Sequence, residues 1–132
     1  MLCFGVLALA VTAPATAGAR ETVLRAHLTP VAPVTSASGS FTARAAPAAG
    51  SATLRWQLAV THLTGRATKA TLTLNGANKL TFVLCKPCST RASGQLQLVQ
   101  LLWRQLQAHG ARVVVETKAH QHGELRGTLA KA

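Results

Sequence analysis

The chain has 132 residues, enough for one ordinary domain, and its 48% hydrophobic and 13% charged residues exclude a disordered polyelectrolyte. Its 14 Lys and Arg face three acids, Glu21, Glu116 and Glu124, for a formal net charge of +11. That balance points to anionic partners such as nucleic acid, lipid head groups or envelope polysaccharide.

Residues 1–19 carry no charge. An apolar or small run over 1–11 is followed by Pro14 among small residues, the pattern of a secretory h-region and cleavage zone. Ala15-Thr16-Ala17 and Ala17-Gly18-Ala19 place cleavage after Ala17 or Ala19, although no Lys or Arg precedes the apolar run. The competing readings are a buried first strand or a membrane anchor, and the stretch is only marginally long enough to span a bilayer. Cys3 precedes the apolar run, so it is not a lipobox cysteine. The expectation is export to the periplasm, the cell envelope or the medium. Residues 20–132 then form one domain with no membrane span.

From Arg20 onward the hydrophobic period is two. Strands are predicted over 23–28 and 40–45, separated by Pro30, Pro33 and the 36–39 segment. Over 52–61, Leu54, Trp56, Leu58 and Val60 share one face, and Pro47 to Gly50 is expected to separate this strand from the one before. Strands over 70–74 and 80–84 follow, joined by the hairpin-type segment Asn75-Gly76-Ala77-Asn78. A strand over 95–98 comes next, while 89–94 has the composition of a loop. Leu98, Leu101, Leu102 and Leu106 then follow helical spacing, so a short helix is predicted over 99–108, with Gly110 as its stop. Strands over 112–117 and 124–129 complete the set. About eight short strands with one helix predict an all-β Greek-key sandwich or barrel.

The order of these features resembles a CHRD (chordin-type) domain, of the single-domain secreted type found in bacteria. The resemblance rests on Leu24-Arg25-Ala26-His27-Leu28, Pro33, Ala37 to Phe41, the strand from Leu54 to Val60 and the turn Leu63-Thr64-Gly65. Its most specific piece is the closing motif Gly123-Glu124-Leu125-Arg126-Gly127-Thr128-Leu129. The resemblance implies an immunoglobulin-like β-barrel and a secreted interaction or structural module. It also implies a structural role for Glu124 and Arg126, as an ion pair fixing the last strand. Relatives often keep a His-x-His pair in a middle strand and another His in the penultimate strand, where this chain has Thr71, Thr73 and Glu116. Threonine does not replace imidazole as a zinc or copper ligand, so no metal is expected on that face.

Cys85-Lys86-Pro87-Cys88 is the sharpest local feature. In an exported chain this spacing predicts a small disulfide across a turn; a redox pair or reduced thiols are the alternatives. His120-Gln121-His122 lies in the turn before the last strand, and His62 lies in another. These three make a copper or zinc site only if the turns converge. No catalytic residue is expected, because an acid–base pair needs a second carboxylate and no nucleophile motif is present. The basic residues, from Arg25 and Arg44 through Arg55, Arg66 and Arg91 to Arg112 and Arg126, are dispersed along the chain. With no Tyr, three Phe and two Trp, specific nucleic-acid binding is not expected. The function expected is a non-enzymatic secreted or envelope-associated module without cofactor, its cationic face on anionic extracellular polymers. The alternative is a periplasmic metal or thiol-redox protein using the histidine turn or the cysteine pair.

Overall fold

A computed structural model describes residues 21–33 and 36–132. The expected signal segment over 1–19, with Cys3 and the cleavage sites after Ala17 or Ala19, lies outside these residues.

Eight strands and one helix make up the described chain: β1 (Thr22–Pro30), β2 (Ser38–Ala48), β3 (Ser51–Thr61), β4 (Ala67–Leu74), β5 (Thr81–Cys85), β6 (Arg91–Val99), α1 (Gln100–His109), β7 (Ala111–Thr117) and β8 (Leu125–Lys131). All neighbours are antiparallel, in the order β5-β4-β7-β8-β1-β2-β3-β6. The sheet curls into a nearly closed barrel whose two edge strands, β5 and β6, approach each other across an open seam. The all-β barrel with about eight strands and one short helix is therefore as expected.

Two boundaries differ from expectation for identifiable reasons. Strand β2 runs through Pro47, which sits opposite Ala52 close to the hairpin turn, where a missing N–H is tolerated. Residues 91–94, expected as loop, are the first half of β6. They pair with Ala59, Leu58, Gln57 and Trp56 of β3, because the small inward residues Ala92 and Gly94 leave the space that Trp56 fills. A Cβ on Gly94 would stand 2.8 Å from the indole.

The core lines the inside of the barrel. Leu24 and Leu28 of β1, Phe41 of β2, Leu54 and Leu58 of β3, Leu72 of β4, Val113 of β7 and Leu125 of β8 are all buried. Trp56 stacks on Phe41 with ring centroids 5.9 Å apart. Helix α1 lays Trp103 and Leu106 against this core and stops at Gly110, whose N–H donates to the Leu106 carbonyl at 2.8 Å. Gln105 fixes the helix to the β4–β5 turn by donating to the carbonyls of Asn75 and Asn78, at 2.8 and 2.6 Å. Strands β1 and β8 are neighbours, and the Ala132 N–H donates to the Val23 carbonyl at 2.9 Å. No helix among the described residues is long and apolar enough to cross a membrane.

Truncating Trp56 removes one of the two largest side chains of this packing. Trp56→Ala is expected to lower unfolding free energy by about 3–5 kcal/mol, read from the urea midpoint.

Candidate functional site

Strand alternation decides which polar residues share a face. On β2 the residues Ser40, Thr42 and Arg44 point away from the core, as do Arg55, Gln57 and Ala59 on β3. Arg91, Ser93 and Gln95 do the same on β6. The registers set these into three rungs: Arg44–Arg55–Gln95, then Thr42–Gln57–Ser93, then Ser40–Ala59–Arg91. Two adjoining hollows of about 290 and 400 Å³ lie over them and share the middle rung. The cations dispersed in sequence are thus gathered, with arginines at both ends of a neutral hydrogen-bonding floor. Arg91 was missed as part of this set because 91–94 has loop composition. The signal was the continued alternation of Ala92, Gly94, Leu96 and Leu98 into the core.

The three acids do little to neutralise the face. Glu21 lies 3.7 Å from Arg44 and Glu116 lies 3.8 Å from Lys69, the first pair well exposed and weak. Glu124 is fully buried. Neither Arg55 nor Arg91 has an acidic partner among the described residues.

Glu124 does not pair with Arg126, contrary to the ion pair expected. It lies just before β8 with its side chain inside, whereas Arg126 is exposed on the outer face opposite Thr29 and Val114. The Glu124 carboxylate instead accepts from the Thr64 N–H at 2.7 Å, the Thr64 hydroxyl at 2.6 Å and the Thr117 hydroxyl at 2.8 Å. Burial works against its charge, but the Thr64 and Thr117 hydrogen bonds and the nearby His120 outweigh burial and hold the carboxyl below its ordinary value. The rest of the closing motif serves the same junction. A Cβ on Gly127 would stand 2.5 Å from the His27 carbonyl oxygen, so only glycine lets β8 approach β1 there.

The histidines proposed as an alternative metal set are not gathered. His62 is exposed after β3 with φ of 57°, and His122 is exposed in the 121–122 turn. His120 is used by its backbone, exchanging hydrogen bonds with Thr117 and accepting from Gly123. Among the described residues no group of three or more His, Cys, Asp or Glu is placed to hold a metal ion. Thr71, Thr73 and Glu116, singled out by the resemblance, do share one outer patch: Lys69 is opposite Glu116, Thr71 opposite Val114 and Thr73 opposite Arg112. Here that patch holds an ion pair and a Thr73–Thr81 hydroxyl contact of 2.9 Å.

Cys85 and Cys88 stand at bonding distance, 2.05 Å between sulfurs, at the start of the β5–β6 connection. The segment after Cys88 leads into strand β6, so no helix N-terminus faces either sulfur, as a thioredoxin-like centre requires. Cys88 is buried, and its N–H donates to the Ala67 carbonyl at 3.1 Å, which fastens this loop to β4.

Comparison with known proteins gives one match: the family profile described as the CHRD domain fits residues 20–129. No curated protein and no solved structure matches the chain.

Two outcomes test these assignments. The lowered carboxyl makes Glu124 stabilising above the ordinary glutamate value of 4.5, and that contribution is lost as pH falls through its lower folded value. Melting temperature is therefore expected to fall on acidification below 4.5, and Glu124→Gln is expected to flatten that fall while costing about 1–3 kcal/mol at neutral pH. Reduction of the unfolded protein is expected to add the mass of two hydrogens. Closing so short a loop contributes about 2 kcal/mol, so the Cys85→Ser/Cys88→Ser variant is expected to fold with a modestly lower urea midpoint.

Proposed function

The chain belongs to the CHRD domain family, and on that premise we propose a secreted or envelope-associated module that works by binding rather than catalysis. The β2–β3–β6 face makes the contact, and its partners are anionic extracellular polymers. The observation that carries the reading is the pair Arg55 and Arg91, exposed on one concave face without acidic partners. Guanidinium groups bind carboxylate, sulfate or phosphate through charge-assisted bonds, often in pairs, and gain from a shallow depression that lowers the local dielectric.

Support for a non-catalytic role comes from the carboxylates. Glu21 and Glu116 each sit beside a cation, and Glu124 is buried with its oxygens occupied, which leaves no pair of free carboxylates among the described residues. Support for export comes from the uncharged segment ending in Ala15-Thr16-Ala17-Gly18-Ala19.

Binding to an anionic polymer is expected at low ionic strength and is expected to weaken steeply as salt rises toward about 0.15 M, where the Debye length is about 8 Å. The double variant Arg55→Glu/Arg91→Glu is expected to lose about tenfold or more in affinity with its melting temperature unchanged. Equal binding by this variant, measured by co-sedimentation or calorimetry, rejects the face. Expression of the full chain is expected to yield an extracytoplasmic product beginning at Gly18 or Arg20. An uncleaved cytoplasmic product rejects export.

A further inference from the structure

We propose that the hollow over β2, β3 and β6 is a subsite for an acidic polysaccharide lying along the strands. An acidic group sits at each end and a neutral, hydroxyl-bearing stretch lies between. This deepens the cationic-face reading and rests on it.

The rungs supply the pattern. Arg55 and Arg91 are set by a register that places Arg91 opposite Ala59, four residues along β3 from Arg55. At about 3.4 Å per residue the two cationic ends are about 14 Å apart, a length spanned by a few linked sugar rings. Between them lie Thr42, Gln57 and Ser93, uncharged and carrying both donors and acceptors. A sugar hydroxyl both donates and accepts, so it matches such a floor. A polyphosphate presents acceptors at every unit and would leave the acceptor oxygens of Gln57, Thr42 and Ser93 unmatched.

Two other anionic surfaces fit less well. A bilayer is approached by a flat or convex patch with apolar side chains to insert, and the hollow is concave. The exposed large apolar residues, Leu80, Val83, Val99 and Leu101, do not line it. Single-stranded nucleic acid needs exposed aromatic rings for its bases. Among the described residues Phe41, Trp56 and Trp103 are buried, and Phe82 is half-buried on β5.

The test measures binding of the whole protein to four probes at low ionic strength. They are a linear polysaccharide with a carboxylate on alternate sugars, the same polymer with its carboxylates reduced to alcohols, polyphosphate, and mixed phosphatidylcholine–phosphatidylglycerol vesicles. The acidic polysaccharide is expected to bind most tightly and the reduced polymer not at all. Gln57→Ala is expected to weaken polysaccharide binding about three- to tenfold, and to weaken polyphosphate binding less, because phosphate uses the amide N–H but not the amide oxygen. Equal or tighter binding to polyphosphate or vesicles overturns the polysaccharide assignment, and so does an unchanged polysaccharide affinity in Gln57→Ala. In either case the cationic face stands as long as Arg55→Glu/Arg91→Glu weakens the anionic probes. If that variant binds them like the parent, the reading of the face falls with it.

Discussion

A buried carboxylate holds the barrel together. Glu124 enters the interior with no lysine or arginine beside it, and a buried unpaired charge is tolerated only when hydrogen bonds take the place of water. Its side chain draws in Thr64 from the β3–β4 connection and Thr117 from the end of β7. Its backbone donates to Val115 at 2.7 Å and accepts from Val31 at 2.9 Å. Elements from across the sequence therefore converge where β8 begins, and β8 is the strand between β7 and β1. That convergence anchors the start of the strand that joins the two halves of the sheet.

The placement of the arginines follows from this closure. Once β8 is fixed between β7 and β1, the sheet continues through β2 and β3 to β6, and alternation sends every second side chain outward. Among the described residues no arginine is buried, and only the Arg44 and Lys69 heads have acidic neighbours. Among the described residues Glu124 is the one buried charge and it serves architecture, so the excess of positive charge falls to the surface.

Much of this was legible in the sequence, and what was hidden was hidden for physical reasons. Period-two alternation located β1, β3, β4, β5 and β7, and helical spacing located α1, because these segments carry large apolar residues at regular intervals. The first half of β6 was obscured because its inward residues are Ala92 and Gly94, chosen by the bulk of Trp56 on another strand. That requirement is tertiary and leaves no local mark. Glu124 was also misread. A Glu and an Arg two apart imply a shared face only if both lie within the strand, and Glu124 lies one residue before it. The shared patch of Thr71, Thr73 and Glu116 is tertiary in the same sense, since only the β4–β7 register joins its parts.

Strand β1 begins and strand β8 ends at the same end of the barrel, bound to each other by the Ala132–Val23 hydrogen bond. The module is therefore topologically a plug with both leads on one side. It can be set into a loop of a host domain without spreading that loop, or have its ends joined and be reopened at an exposed turn. The start of β1 lies beside the Arg44–Arg55 rung, because Val23 is opposite Arg44, so this end of the barrel is also one end of its charged hollow.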